Sequence, residues 1–163
     1  YLLSWKLYST MAAEDVQDTL DMAIEYTGVD HINVKHKPRL LSDNGPCYLS
    51  SQLAEYLKDK QMKHTRGRPY HPQTQGKIER YHRTLKNKIK LHNYWSVEAL
   101  EREIALFIQY YNNERVHESL NNITPTDMYY GKQEKILSLR DKIKQKTLKA
   151  RKRFNLSQKS CIA

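Results

Sequence analysis

Two carboxylates in the sequence, Asp43 and Glu79, have the type and setting that metal-dependent phosphoryl transfer needs. Asp43 follows a predicted strand and opens an Asn-Gly turn, and ligands usually bind at the carboxyl ends of strands in α/β sheets. Glu79 lies near the start of a predicted helix and is the one acid between Lys60 and Lys90. Hard ions such as Mg²⁺ prefer carboxylate oxygens, and two of them about 4 Å apart can stabilise an in-line displacement at phosphorus.

Each carboxylate also has an ordinary structural interpretation, which the residues alone leave open. An aspartate after a strand commonly shapes a turn through its own backbone. A glutamate on a basic helix commonly pairs with a cation one turn away, and Lys77, Arg80 and Arg83 all lie near Glu79.

Positive charge is concentrated in two parts of the chain. The 163 residues carry 28 Lys and Arg against 18 Asp and Glu, which gives a net charge of +10. Residues 58–90 hold 11 Lys and Arg against 2 Asp and Glu, residues 131–163 hold the same numbers, and the rest of the chain is net acidic. Such basic blocks predict a polyanionic partner such as nucleic acid, with a solvated surface or tail as the alternative.

Composition excludes a membrane protein and a disulfide scaffold. The longest apolar run has about five residues, from Ile104 to Ile108, whereas a spanning helix needs about 20. Two cysteines, Cys47 and Cys161, are too few for a disulfide framework. We therefore expect one domain with an appendage, in a reducing compartment and without a membrane partner. Because Tyr1 lies inside a predicted strand, we also expect a fragment.

Hydrophobic periodicity and turn residues predict alternating strands and helices, and hence an α/β domain with helices packed on a sheet. The predicted strands are Tyr1–Tyr8, Arg39–Ser42 and Met62–Thr65. The predicted helices are Ala12–Thr27, Ser51–Lys60, Thr74–Leu91, Ser96–Asn113, a short one from Pro125 to Gly131, and a basic one over 132–153. The predicted inward side chains of the two long helices are Ile78, Tyr81, Leu85 and Ile89, then Val97, Leu100, Ile104, Phe107, Ile108 and Tyr111.

Two motifs around the carboxylates carry a family resemblance. Residues 41–45, Leu-Ser-Asp-Asn-Gly, and residues 69–80, Pro-Tyr-His-Pro-Gln-Thr-Gln-Gly-Lys-Ile-Glu-Arg, resemble the second and third acidic motifs of integrases and transposases. This family of retroviral integrases and bacterial insertion-sequence transposases uses an Asp-Asp-Glu triad, with 35 residues between the last two in many members, as here. Residues 110–120 are similar to the segment that closes the core in insertion-sequence transposases. The resemblance implies an RNase H-like core, a mixed sheet flanked by helices.

The resemblance also implies a role for each matching residue. Asp43 and Glu79 would be ligands of two Mg²⁺ or Mn²⁺ ions rather than general bases, while water and then a 3′-hydroxyl attack a DNA phosphodiester. Lys86, seven positions after Glu79, would hold a DNA phosphate. The other residues implied in DNA contact are Lys77, Arg80, Arg83, His71, Gln73 and Gln75, and those at the turn beside the metals are Asn44 and Gly45.

Several of these assignments have structural alternatives. His71, Gln73 and Gln75 could serve only to shape their loop, and the Asn44 side chain could bond its own backbone. The spacing of His31, His36, His64 and Cys47 fits no common zinc site, so we expect no zinc.

The first Asp of the family triad has no counterpart in these 163 residues. It belongs to a strand upstream of the one matched by Tyr1–Tyr8, and the candidates Asp15, Asp18, Asp21 and Asp30 lie in or after the first predicted helix. The upstream DNA-binding region usual in the family has no counterpart either. We therefore expect an RNase H-like core that lacks its first strand or strands, with little or no strand transfer by the isolated chain.

We expect residues 1–131 to form a partial catalytic core and residues 132–163 a basic helical tail. The tail could track phosphates, pack through apolar residues such as Ile136 and Ile143, or remain solvated. The expected partners are double-stranded DNA, as element ends and target, and further copies of the chain. The expected location is the bacterial cytoplasm, in association with the nucleoid. The alternative function is a non-catalytic DNA-binding remnant or domesticated fragment.

Overall fold

The computed structural model describes residues 1–31, 37–67 and 76–160, with side chains to residue 157. Within them the fold is rich in helices and has a small sheet. The strands are β1 (Arg39–Ser42) and β2 (Lys63–Arg66). The helices are α1 (Ala13–Thr27), α2 (Pro46–Leu49), α3 (Ser51–Asp59), α4 (Gly76–Ile89), α5 (Val97–Asn113), α6 (Pro125–Tyr129) and α7 (Gln133–Ser160), with a 3-10 helix at Glu118–Leu120.

Strands β1 and β2 pair in parallel and form the sheet on which the candidate site is built. Arg39 pairs with Lys63 and Ser42 pairs with Arg66. Parallel neighbours need a crossover connection, which α2 and α3 provide. The sequence predicts both strands, but the predicted β2, Met62–Thr65, begins and ends one residue before the observed strand. It also predicts a mixed sheet, whereas the two strands in the described residues are parallel.

Helices α1 and α3 cover this sheet and carry the main core. Asp15 accepts a hydrogen bond from the Ala12 backbone N–H at 2.8 Å at the start of α1, and Gly28, with φ of +64°, ends the helix in the left-handed region. Ser50 Oγ accepts from the Leu53 N–H at 3.1 Å and begins α3. Both helices confirm the sequence prediction. The buried residues are Ala13, Leu53 and Leu57, surrounded by Val16, Leu20, Leu40, Tyr48, Tyr56 and Met62.

Helices α4 and α5 meet through an aromatic contact. The rings of Tyr81 and Phe107 lie 6.1 Å apart between centroids, and Ile104 and Phe107 are buried. Two residues of the predicted inward stripes, Ile78 and Val97, are instead exposed. Each lies in the first turn of its helix, where the stripe extends beyond the part of the face that is packed.

The predicted strand at Tyr1–Tyr8 is wrong, because these residues form neither helix nor strand. A strand requires a neighbour whose backbone completes its hydrogen bonds. Side-chain hydrogen bonds hold this segment against α1 instead. Ser4 Oγ donates to the Thr19 carbonyl at 2.8 Å, and Lys6 Nζ donates to Asp18 Oδ2 at 2.6 Å.

The segment before α7 is a compact set of turns. An isolated antiparallel bridge joins His117 to Ile123, whose side chain is buried. Thr124 Oγ1 accepts from the Asp127 N–H at 3.2 Å and caps α6, and Gly131 follows with φ of +68°. The predicted short helix is therefore confirmed.

Helix α7 is anchored at its start and exposed along the rest of its length. The Arg140 guanidinium donates to the carbonyls of Asn121 and Asn122, at 3.1 and 3.0 Å. Beyond residue 137, every described side chain of the helix is exposed. A basic helix is predicted here, and the structure confirms it over a longer range.

The chain divides into two compact units, Leu2–Ile108 and Gln109–Ala163 with Tyr1, so their boundary falls inside α5. The division that the sequence predicts, at residue 131, stays a prediction. In the part of the chain that the structure describes, no helix combines the length and the apolar content needed to cross a bilayer.

Candidate functional site

The turn after β1 holds the Asp43 carboxylate in a defined position. The Gly45 backbone N–H donates to Asp43 Oδ1 at 2.8 Å, while the side chain as a whole is exposed. A Cβ at position 45 would lie 3.0 Å from the same oxygen. A Cβ there would be in tighter than ordinary contact with the carboxylate, which would have to shift by a few tenths of an ångström, whereas the glycine leaves this space open and its N–H holds one carboxylate oxygen.

The turn is also tied to the end of β2. Asn44 Nδ2 donates to the Gly67 carbonyl at 2.9 Å, and the Gly67 N–H donates to the Ser42 carbonyl at 2.9 Å. The Asn44 side chain therefore bonds a neighbouring segment and not its own backbone. Together these bonds hold the residue before Asp43 and the residue after it against the same neighbour.

The buried side chain of Ser42 hydrogen-bonds to the backbone of this turn. Ser42 Oγ donates to the Asp43 carbonyl at 2.8 Å, and His64 Nε2 lies 2.8 Å from the same Oγ. Because the single hydroxyl hydrogen goes to the carbonyl, Nε2 of His64 is the donor to Oγ. Burial, and then the positive charge of Arg66, lower the pKa of the His64 imidazole.

Glu79 lies in the first turn of α4 with its side chain exposed. It makes no ion pair with any residue that the structure describes, although Arg80 and Arg83 are its near neighbours in the helix. The salt-bridge alternative for this carboxylate is therefore not realised among the described residues. A negatively charged side chain near the N-terminus of a helix is also stabilised by the helix dipole.

Helical geometry sorts the basic residues of α4 into two groups. Arg83, Lys86 and Lys90 follow Glu79 by about one, two and three turns and stay within about 40° of it around the axis. The backbone N–H of Lys90 donates to the Lys86 carbonyl at 3.0 Å, so the helical path continues through Lys90. We call Arg83, Lys86 and Lys90 the basic row. Arg80 points about 100° away from Glu79, and Lys77 lies on the opposite side of the helix.

The remaining predicted contacts, His71, Gln73 and Gln75, lie outside the described residues. Sequence reasoning missed two contributors that the structure adds, the Gly67 carbonyl and Lys90. The helical spacing of Lys90 from Glu79, eleven residues or about three turns, is a signal that could have identified it.

Asp43 and Glu79 both lie in the unit Leu2–Ile108. Their carboxylate oxygens are the donors that Mg²⁺ and Mn²⁺ prefer, so these side chains fit such ions chemically. The described residues contain no group of three or more His, Cys, Asp and Glu side chains placed to hold a metal.

Comparison with protein families gives two overlapping matches of the same description, which together span residues 1–125. One integrase core domain family matches residues 1–72, and a second integrase core domain family matches residues 60–125. The first match includes Asp43 and the second includes Glu79.

Related proteins are found among retroviral polyproteins. The Pol polyprotein of equine infectious anemia virus (strain Wyoming) is 35% identical over 98 residues, which is 60% of this chain and 8% of the polyprotein. The Gag-Pro-Pol polyprotein of simian retrovirus SRV-2 is 44% identical over 73 residues, 41% of this chain and 4% of the relative. The chain thus spans less than a tenth of the length of these relatives.

Solved structures share the fold. The catalytic core domain of BIV integrase matches with a TM-score of 0.54 and 24% identity, over 81% of this chain and 80% of that one. The intasome of simian T-cell lymphotropic virus, solved in complex with a PP2A regulatory subunit, matches with a TM-score of 0.51 and 22% identity over 68% of this chain and 37% of that one. The fold is thus that of an integrase catalytic core, which is RNase H-like, with a truncated sheet.

Proposed function

The chain belongs to the integrase core domain family, and from that premise we propose that it is the metal-holding and DNA-holding part of an enzyme that cleaves and joins DNA. The observation that carries the proposal is Glu79. It is a carboxylate on a strongly basic helix that forms no ion pair among the described residues. A side chain in that setting remains available to a cation in the same place where phosphates would be bound.

In this proposal Asp43 and Glu79 hold divalent ions, Mg²⁺ or Mn²⁺, through their carboxylate oxygens. Such ions would supply the positive charge that an in-line displacement at a DNA phosphate requires. The Gly45 N–H orients the Asp43 carboxylate by engaging one of its oxygens. Asn44 keeps the turn in place by bonding Gly67.

The basic row of α4 positions the DNA. Arg83, Lys86 and Lys90 extend for about 16 Å along the helix from Glu79. A DNA strand that follows the row would place one phosphate near Glu79 and later phosphates against the three cations. These contacts would bind backbone and not bases, so they would hold DNA of any sequence.

The chain of 163 residues supplies two of the three carboxylates that the family resemblance implies. We therefore propose that it binds double-stranded DNA but performs little cleavage or joining by itself, and that the active assembly contains several copies and a further carboxylate. A non-catalytic DNA-binding role is the second candidate, favoured by the basic row, whose contacts with phosphates need no metal. We place the chain in the compartment that holds its DNA, which for a bacterial protein is the cytoplasm.

Binding to a fluorescently labelled duplex, measured by anisotropy at several salt concentrations, tests the proposal. The logarithm of the affinity should fall linearly with the logarithm of the salt concentration, because bound phosphates release counterions. Lys86→Ala should weaken binding about equally for unrelated sequences and reduce the slope by about 1. Arg102→Ala, which removes an exposed cation of α5 outside both basic blocks, is the matched control. Absent or salt-insensitive binding would overturn the proposal.

A further inference from the structure

The connection between α4 and α5 presents large apolar side chains to solvent. Trp95 is 98% exposed, and its neighbours Leu91 and Val97 are 75% and 65% exposed. A packed Trp buries roughly 150–250 Å² and usually contributes strongly to a core or an interface. The intramolecular packing of the described residues makes almost no use of this ring.

Local helix chemistry makes the exposure more informative. Ser96 Oγ accepts from the Ala99 N–H at 3.2 Å, so Ser96 is the N-cap of α5 and Trp95 stands immediately before it. An apolar residue at that position often packs against the fourth residue of the helix, here Leu100. The 98% exposure of Trp95 shows that this contact is not made. The ring projects from a capped helix start into solvent.

Trp95 lies just beyond the basic row. The helical path of α4 continues through Lys90. It ends in a tighter turn, in which the N–H groups of Leu91 and His92 donate to the carbonyls of Lys88 and Ile89 at 3.4 and 3.3 Å. Trp95 follows three residues later. A strand whose phosphates run along Arg83, Lys86 and Lys90 would reach the end of this helical path at Lys90, five residues before the ring in the sequence.

We propose that Trp95 is a stacking site for an unpaired base of the DNA strand that the basic row holds. The inference rests on the proposed function, because it needs DNA along α4. A base in a duplex has both faces covered by its neighbours, so a protruding indole can stack only on a base at a frayed end, in a single-stranded overhang or turned out of the helix. The exposed ring supplies stacking and the row supplies the phosphate contacts.

The charge of the surroundings favours DNA over a protein partner as the occupant. Exposed Trp residues also serve as anchors in protein interfaces, where charged residues are depleted at the centre. Here the segment leading to Trp95 carries Lys86, Lys88 and Lys90, all exposed. Glu98 follows Trp95 in the first turn of α5, so the cations lie on the α4 side of the ring. Cations beside an exposed aromatic ring are the combination that single-stranded nucleic acid binding uses.

The test uses the fluorescence of Trp95 itself. The chain contains two Trp residues, so Trp5→Phe leaves Trp95 as the only indole. A short single-stranded thymidine oligonucleotide and a duplex with a single-stranded overhang should quench its emission, and a blunt duplex of equal length should quench it much less. Trp95→Phe, which keeps only the half-buried Trp5, is the matched control and should show no DNA-dependent change.

Affinity measurements on Trp95 variants distinguish stacking on an aromatic ring from contact with any large apolar side chain. Trp95→Leu should weaken binding of the single-stranded oligonucleotide about 5-fold or more and leave binding of the blunt duplex unchanged. Trp95→Phe should retain most of the affinity because it keeps an aromatic face, and Val97→Ala should behave like the unaltered chain.

The outcomes distinguish this inference from the function on which it rests. Salt-dependent binding of blunt duplex with no quenching by single-stranded DNA would overturn the stacking site alone. Failure of every DNA to bind would overturn both proposals. A Trp95 emission that changes with protein concentration in the absence of DNA would assign the ring to a protein interface and also overturn the stacking site.

Discussion

At the scale of single residues, Gly45 determines where the Asp43 carboxylate lies. Its N–H holds Oδ1 at 2.8 Å, and any Cβ at this position would stand 3.0 Å from that oxygen. The oxygen is a terminal oxygen of the Asp43 side chain, so relieving this contact would shift the proposed metal ligand itself by a few tenths of an ångström. The backbone at residue 45 would thus influence the proposed metal site through the position of Asp43.

Gly45→Ala should therefore weaken Mn²⁺ binding by about 10-fold, the lower end of what the loss of a residue that orients a ligand costs. Electron paramagnetic resonance of free Mn²⁺ measures this directly. Gly76→Ala is the matched control, because among the described residues a Cβ there meets no atom within 4 Å. Equal Mn²⁺ affinity in Gly45→Ala and the unaltered chain would refute the role given to this turn.

Asp21 links α1 to α3 and gives a pH-dependent contribution to stability. Tyr56 Oη donates to Asp21 Oδ1 at 2.7 Å, and Lys60 Nζ lies 2.9 Å from the same oxygen. Burial alone would raise the pKa of Asp21, but the bonds from Lys60 and Tyr56 outweigh it and the net pKa lies below its usual value. The stabilisation is therefore present above the unfolded pKa and is lost as pH falls through the folded one.

Asp21→Asn should lower the free energy of unfolding by about 0.5–1 kcal/mol at neutral pH, a value reduced because the carboxylate is half exposed. The difference from the unaltered chain should begin to shrink near pH 3.9, where the unfolded carboxyl protonates, and should disappear only below the lower pKa of the folded carboxyl. Urea unfolding at several pH values measures it, with Glu55→Gln of α3 as control. A difference that persists unchanged in acid would contradict the ionic origin.

At the scale of elements, sequence reasoning succeeded where the determining interactions are local. Caps and periodicity lie within one segment, and for this reason the predicted helices that Ser50 and Thr124 cap and the one that Gly28 ends agree with the structure. A strand depends on a partner elsewhere in the chain, and for this reason the prediction at Tyr1–Tyr8 failed. The exposure of Trp95 could not be predicted for a related reason. An apolar residue directly before a capped helix is expected to pack on the fourth helical residue, here Leu100, but Trp95 does not make this contact.

The start of α7 depends on a single arginine. Arg140 bonds the carbonyls of Asn121 and Asn122, two residues held at φ of +56° and +57°. A planar guanidinium can donate hydrogen bonds to two neighbouring carbonyls at once, whereas a lysine ammonium lacks this pair of fixed, parallel donors. The arginine thus fixes both the turn and the first half of the helix.

Arg140→Lys should cost about 1 kcal/mol, since two hydrogen bonds are replaced by one weaker contact. Hydrogen exchange should become faster at His117 and Ile123, whose bridge lies beside the turn. Lys142→Ala, at a neighbouring exposed position, should leave exchange unchanged. Unaltered protection in Arg140→Lys would show that the turn is stable without the arginine.

At the scale of the whole molecule, the sequence predicted the family and the main architecture, since the two acidic motifs and the integrase core domain matches agree. The basic charge was predicted as a block. Its division into the basic row and cations on other faces follows from helical spacing to Glu79, once the bounds of α4 are known. The bond from Asn44 to Gly67 likewise joins residues 23 positions apart, and such a contact has no local signal.

The molecule should bind DNA without cutting it. Incubation of supercoiled plasmid with the chain and Mn²⁺ should leave the plasmid supercoiled, because two carboxylates leave the metal under-coordinated for in-line displacement. Agarose electrophoresis separates supercoiled from nicked circles. Nicking that Asp43→Asn abolishes would contradict this prediction and show that the chain completes the site with residues of its own.

The central claim is that Asp43 and Glu79 hold a divalent cation together, and paramagnetic broadening by Mn²⁺ tests it most directly. In the amide spectrum of the chain, a substoichiometric amount of Mn²⁺ should broaden the signals of residues 42–45 and of the first turn of α4 in parallel. Excess Mg²⁺ should restore both, and Asp43→Asn should abolish both. Broadening confined to one of the two segments, or to neither, would contradict the account.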